Sequence, residues 1–153
     1  MKPKFIYAYM NTAEIFAELS HARRLHVGAI IVKDDRIISI GYNGMPAGWD
    51  NDCEYEILTD NGDDEPETVL KTKPEVLHAE TNAIAKLAKS NESGLDADMF
   101  ITHAPCLDCA KLIYQSGIRS VFYRDAYRSE DGIRFLEQSK VAVTQVPQMK
   151  KDS

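Results

Sequence analysis

The sequence predicts a single α/β domain over residues 1–153, a three-layer α-β-α sandwich with a five-stranded sheet covered on both faces by helices. Three observations predict it. Segments of helical and strand periodicity follow one another in the order α-β-β-α-β-α-β-α-β. The length of 153 residues is that of one ordinary domain. No internal repeat, low-complexity tract or linker divides the chain, and only residues 1–3 and 148–153 read as flexible ends.

Each element has its own local reason. Ile6, Tyr9, Met10, Ala13, Phe16, Ala17 and Leu19 recur at helical spacing, and that helix is expected to end near His21. Residues 27–32 form a continuous apolar, β-branched run, and Arg36–Tyr42 follows with Ile37, Ile38 and Ile40. The short polar turn between them predicts an antiparallel hairpin, so the sheet is expected to be mixed. Asn43-Gly44-Met45-Pro46-Ala47-Gly48 then breaks regularity. Residues 49–74 carry no clear pattern and read as a long surface loop, with five acids and no base between Thr59 and Glu67. Loops of that length in small domains are often functional. Ala79, Ala83, Ile84, Leu87 and Ala88 mark a helix over 78–89, and Met99, Phe100 and Ile101 a strand over 97–102. Pro105 ahead of a helix over 106–114 and Gly117 beyond it follow the usual placement of these residues at helix ends. A strand over 120–123, a helix over 130–138 and a strand over 141–146 complete the order.

Composition narrows the function classes. Hydrophobic residues make up 44% and charged residues 27%, an ordinary globular balance. Eighteen Lys+Arg against 24 Asp+Glu leave a net charge of −6, which disfavours nucleic acid and acidic membranes as partners. A small phosphorylated ligand stays open, since a few local arginines suffice. No apolar run approaches the ~18 residues of a membrane span, and the N-terminal segment lacks an apolar signal core. Three cysteines, Cys53, Cys106 and Cys109, cannot all pair within one chain. Two of them stand as Cys-x-x-Cys, pointing to metal or redox chemistry in a reducing, cytoplasmic compartment.

His78-Ala79-Glu80 and Pro105-Cys106-Leu107-Asp108-Cys109 carry the chemistry. One imidazole and two thiolates suit zinc, and three protein ligands leave the fourth tetrahedral position open for water, as in catalytic sites. His78 and Cys106 fall at expected helix starts, where the positive dipole end favours thiolate. Glu80, two residues beyond a ligand, can reach that water without binding metal and can move its proton to a substrate. Two alternatives stand beside this reading. Cys106 and Cys109 could form a redox pair, although no thioredoxin-like opening precedes them. A structural Cys₃His site could instead be closed by Cys53, or the fourth position filled by His21, His26 or His103. Such a closed site has no use for Glu80.

His-x-Glu followed by Pro-Cys-x-x-Cys is the signature of zinc nucleobase deaminases, and more of the chain agrees. Val27-Gly28-Ala29-Ile30-Ile31-Val32, Gly41-Tyr42-Asn43-Gly44-Met45-Pro46-Ala47-Gly48, His78-Ala79-Glu80-Thr81-Asn82-Ala83-Ile84 and Pro105-Cys106-Leu107-Asp108-Cys109-Ala110-Lys111 together resemble the deoxycytidylate (dCMP) deaminases, with Gly117-Ile118 and Tyr127-Arg128 completing the pattern. These enzymes are a branch of the cytidine-deaminase-like zinc fold. The resemblance runs from about Ser20 to Val146.

The resemblance implies zinc on His78, Cys106 and Cys109, with Glu80 as proton shuttle. Water attacks C4 of the cytosine ring, Glu80 protonates N3, and ammonia leaves to give dUMP for thymidylate synthesis. It further implies substrate contacts from Asn43 to a sugar hydroxyl, from Ala79, and from Tyr127 and Arg128 to the phosphate, with Arg24 assisting. Asn43-Gly44 alone would read as a turn dipeptide, and Tyr127-Arg128 alone as an ordinary exposed pair. Family members are often regulated, dCTP activating and dTTP inhibiting. Here Gly41, Tyr42, Asn43, Gly44 and Gly48 would receive the triphosphate and its Mg²⁺. Some relatives use a cysteine two residues beyond the position of Ser20 for a second zinc. This chain has Ala22 there, so one zinc per chain is expected. A homohexamer is the usual assembly. Two other readings remain: a zinc deaminase of another base or nucleoside (cytosine, cytidine or guanine), and a non-catalytic zinc-stabilised nucleotide-binding protein.

Overall fold

The computed structural model describes residues 1–149; of the expected flexible C-terminal end, 150–153 lie outside the described residues. The elements in chain order are α1 (Pro3–Ala17), β1 (Gly28–Lys33), β2 (Arg36–Tyr42), β3 (Glu54–Leu58), β4 (Thr68–Thr72), α2 (Ala79–Ala88), β5 (Asp98–His103), α3 (Leu107–Gln115), β6 (Ser120–Asp125), α4 (Asp131–Gln138) and β7 (Ala142–Gln145). Five strands form one sheet in the order β2-β1-β5-β6-β7. β1 pairs antiparallel with β2 and with β5, whereas β5-β6 and β6-β7 are parallel. The sheet is mixed and five-stranded, as the sequence predicts.

Alternation along the central strands builds two cores. Ile30 and Val32 of β1 and Phe100 of β5 face α1 and meet Met10 and Ala13. Ala29, Ile31, Met99 and Ile101 face the other way, toward Ala83 and Leu87 of α2, Ala110 and Ile113 of α3 and Leu136 of α4. Both faces of β1 and β5 are covered, and so these strands read as unbroken apolar runs rather than as alternating ones. Phe100 stacks on Phe122 at 4.7 Å between ring centroids, fixing the register of β5 and β6 on the α1 side.

Two expectations need correction. The first helix ends at Ala17, not near His21; Glu18, Leu19 and Ser20 each donate their N–H three residues back, a tightening that closes the helix. More consequentially, residues 49–74 are not one irregular loop. β3 and β4 pair as a separate antiparallel hairpin, Glu54 opposite Thr72 and Leu58 opposite Thr68. All of β3 beyond Glu54 is exposed, and so is β4 except Leu70. No buried face imposes a period of two on its side chains, which is why hydrophobic patterning did not reveal it. The acidic stretch is this hairpin's connecting loop, closed where the Thr59 N–H donates to the Glu67 carbonyl at 2.8 Å.

α2 lies on β2 at backbone contact. A Cβ on Gly41 would collide with the carbonyl oxygen of Ala79 and stand 2.7 Å from the nitrogen of Ala83. Asn82 of α2 reinforces the contact, donating through Nδ2 to the carbonyl of Tyr42 at 2.8 Å. Substituting Gly41→Ala is expected to overpack this seam and destabilise the protein by about 1–3 kcal/mol. The measurement is a urea unfolding curve whose midpoint falls while its slope stays constant.

Candidate active site

Two helix starts meet beyond the carboxyl end of β5. His78 is the N-cap of α2, in extended conformation, and its ring makes no capping bond. Cys106 is the N-cap of α3, and its sulfur accepts the backbone N–H of Cys109 at 3.5 Å. Pro105 is fully buried just ahead of it. α4 seats this turn: a Cβ on Gly132 would strike the carbonyl of Pro105 and approach that of Cys106 to 2.9 Å. Gly132 therefore lets α4 pack directly on the Pro-Cys segment, a role no local pattern in the sequence announces.

The ligand atoms converge. His78 Nδ1 stands 3.6 Å from Cys106 Sγ and 3.3 Å from Cys109 Sγ. All three donors lie within 4.8 Å of one another. A tetrahedral zinc with Zn–N of about 2.0–2.1 Å and Zn–S of about 2.3 Å would separate its nitrogen and sulfur ligands by about 3.5 Å, so this donor set fits zinc in element and in spacing. Among the described residues no fourth side chain joins the group. Cys53 is buried elsewhere, with its thiol beside the carbonyl of Asn51. His21, His26 and His103 are not part of the group either. The closed Cys₃His alternative finds no fourth ligand among these residues.

Protons are distributed unevenly over the three groups. A hydrogen bond from the Cys109 thiol, with another from His78, lowers the Cys106 pKa to about 4. The same bond to Cys106, together with burial, pushes the Cys109 thiol up. The bond to Cys106 also raises the His78 pKa, against the opposing effect of its burial. Zinc binding needs both sulfurs as thiolates and His78 neutral, and so displaces these protons. Thr81 Oγ1 lies 3.8 Å from Cys109 Sγ, one turn along α2, and can support that sulfur.

Glu80 sits in the first turn of α2 with 5% of its surface exposed. Burial raises its carboxyl pKa, opposed by the hydrogen bond from its own backbone N–H and by the nearby His78. A carboxyl so placed holds and returns a proton more readily near neutral pH than an exposed one does. It lies outside the ligand group.

His78, Ala79, Glu80 and Cys106 open into a cavity of about 580 Å³, within the range of small-molecule sites. The same cavity is lined by Asn43, Arg24, Tyr127 and Arg128. Every residue expected at the substrate is therefore brought to one space from four separated stretches of chain. The Arg128 guanidinium lies over the Tyr127 ring, 5.6 Å from its centroid. Asn43 is held firmly: Oδ1 accepts the Val27 N–H and Nδ2 donates to the Leu25 carbonyl, both at 2.8 Å. Asn43-Gly44 forms no turn; Gly44 is bridged to Leu77, and the Asn43 side chain ties the loop to Leu25 and Val27.

The glycine loop divides. Gly41, Tyr42, Gly44 and Gly48 do not line the cavity. Gly41 is accounted for by its packing on α2. Gly44 and Gly48 have open space where a side chain would be, Gly48 with a φ of +86°. Gly44 also pairs with Leu77, the residue before His78, through N–H to carbonyl bonds of 3.1 and 2.8 Å. Glu54, Thr72 and His103 line the cavity unannounced. His103 ends β5, and Glu54 and Thr72 lie on the hairpin that patterning missed.

Comparison with known proteins agrees with the geometry. Residues 3–125 match the family model "cytidine and deoxycytidylate deaminase zinc-binding region". The ComE operon protein 2 of Bacillus subtilis is 37% identical over 139 residues, covering 90% of this chain and 69% of that protein. The human deoxycytidylate deaminase is 39% identical over 126 residues, 80% of this chain and 66% of the human protein. Among solved structures, the dCMP deaminase of cyanophage S-TIM5 in complex with dCMP and dUMP is 45% identical, with a TM-score of 0.84 over 95% of this chain and 99% of that one. With its His78/Cys106/Cys109 zinc site and the adjoining Glu80, this chain belongs to the family of zinc-dependent cytidine and deoxycytidylate deaminases.

Proposed function

We propose that the protein deaminates dCMP to dUMP, supplying dUMP for thymidylate synthesis. The observation that carries this reading is a single cavity whose lining joins His78, Cys106 and Glu80 to Arg24, Tyr127 and Arg128. Only a substrate with both an amino-bearing ring and an anionic group uses all of it. The relative from cyanophage S-TIM5, whose structure holds dCMP and dUMP, supports the same substrate.

Zinc, when bound, supplies the Lewis acidity that makes water nucleophilic near neutral pH. The rest is done by this chain. Glu80 takes the proton of the attacking water and delivers it to ring N3 as the oxygen adds at C4. It then takes the proton of the hydroxyl added at C4 and passes it to the amino group, which leaves as ammonia as the C4–N bond breaks and the C4 carbonyl forms, so water and dCMP are consumed and dUMP and ammonia formed. Ala79, fully buried at the cavity wall, and Asn43 border the ring and sugar. Arg24, Tyr127 and Arg128 receive the phosphate, the guanidinium groups matching its oxygens.

Regulation belongs to the same proposal. We infer that dCTP, with Mg²⁺, activates and dTTP inhibits through the segment from Gly41 to Gly48. Supporting this are the open flanks of Gly44 and Gly48 and the Gly44–Leu77 pairing, which ties that segment to the residue before His78. Exposed Leu107 and Tyr114, two turns apart on one side of α3, offer apolar surface for assembly, which we take to be a homohexamer.

Three outcomes are expected. In a panel of dCMP, CMP, deoxycytidine, cytosine and guanine, ammonia release is fastest with dCMP, and Arg128→Ala raises the dCMP KM about tenfold while barely changing deoxycytidine turnover. Equal losses on both substrates would refute phosphate recognition at Arg128. Glu80→Gln lowers kcat by about 10³-fold with zinc content by elemental analysis intact; full activity in that variant would end its role as proton carrier. Rate curves against dCMP become steeper or shallower with dCTP or dTTP in Mg²⁺, in particles that sediment as hexamers. Curves indifferent to both nucleotides, or a monomer, would remove the corresponding claim.

A further inference from the structure

Arg23 and Arg24 are adjacent, yet the structure gives them opposite surroundings. Arg23 is surrounded by acids: Asp52 at 3.5 Å, Glu54 at 3.6 Å and Glu56 at 2.8 Å. Arg24 lines the cavity, and its guanidinium reaches a hydroxyl instead, donating from Nη1 to Thr72 Oγ1 at 3.2 Å. Among the described residues it has no carboxylate partner, so its charge is left for something else in that cavity.

The main chain at Arg24 is held just as specifically. Glu54 Oε1 accepts the backbone N–H of Arg23 at 2.8 Å and that of Arg24 at 3.2 Å. The Glu54 side chain is only 1% exposed, and its second oxygen, buried without a hydrogen bond, lies 3.6 Å from Arg23 Nε. A carboxylate is expensive to bury, and two consecutive N–H donors are what this one secures. Glu54 and Thr72 are themselves a cross-strand pair, the first residue of β3 opposite the last of β4. One rung of the hairpin therefore holds Arg24 at both ends, backbone and guanidinium.

We propose that the β3–β4 hairpin is a specificity element of the active site, in which Glu54 and Thr72 act as positioning residues that aim Arg24 at the 5′-phosphate of the bound nucleotide. The proposal rests on the reading of Arg24 as a phosphate ligand. It gives a function to a hairpin that joins no strand of the main sheet. A long side chain on a loop would otherwise lose several rotors on meeting the anion; held in advance, it loses little.

The test is binding of dUMP and of deoxyuridine to the zinc-loaded protein by calorimetry, the weaker ligand by competition, with dCMP kinetics in parallel. Arg24→Ala is expected to weaken dUMP about tenfold and leave deoxyuridine unchanged. Glu54→Ala is expected to do the same, with KM for dCMP raised and kcat held. Thr72→Val is expected to produce a smaller loss, about threefold, which Thr72→Ser restores. In the Arg24→Ala background neither hairpin substitution should add further loss, because the interaction they serve is already gone. Should Glu54→Ala fail to fold, the Thr72 pair and its double mutants decide. Loss of dUMP and deoxyuridine affinity alike, or full additivity with Arg24→Ala, would overturn the positioning role while leaving Arg24 as a phosphate ligand. An Arg24→Ala variant with unaltered dUMP affinity would overturn the phosphate reading at Arg24 and this inference together.

Discussion

Two helices begin at the same point in space, and the site depends on that convergence. His78 and Cys106 are both N-cap residues, extended just before their helices start, so each places its side chain at the end where unpaired N–H groups point. That end carries partial positive charge and favours a thiolate. Cys109, one turn into α3, then falls beside Cys106 by helical geometry alone. Glu80 is carried to the same place by α2, buried and outside the ligand group. The donor atoms and the Glu80 carboxyl are thus positioned by rigid elements rather than by loops.

Holding two helix starts together demands close packing behind them. Gly41 brings α2 onto β2, and Gly132 brings α4 onto the Pro105-Cys106 turn. In both places the missing side chain lets backbone meet backbone. The apolar cluster of Ala29, Ile31, Met99, Ile101, Ala83 and Ile113 fills the layer between sheet and helices. Rigidity at the zinc donors is thereby inherited from the core.

Another part of the cavity lining is organised by charge. A chain of net charge −6 recognises an anion only where positive charge is both local and unpaired. Arg23 is neutralised by its acidic neighbours, whereas Arg24 and Arg128 face the cavity with a hydroxyl and an aromatic ring as their companions. On the proposed reading, electrostatic recognition is a matter of which arginines are left unmatched.

What the sequence determined by itself was the part written in short-range spacing. The His-x-Glu and Cys-x-x-Cys residues sit within a helical turn of one another, and the apolar runs of β1 and β5 report a sheet buried on both faces. These signals survive without knowledge of the fold because each is local. What only the tertiary structure decided is long-range: the meeting of His78 with Cys106, 28 residues on, the seating of α4 through Gly132, and the hairpin carrying Glu54 and Thr72. That hairpin has no buried face to stamp a period on its side chains. Its place rests on backbone pairing and on contacts with Arg24, 30 to 48 residues earlier in the chain, which no local pattern can encode.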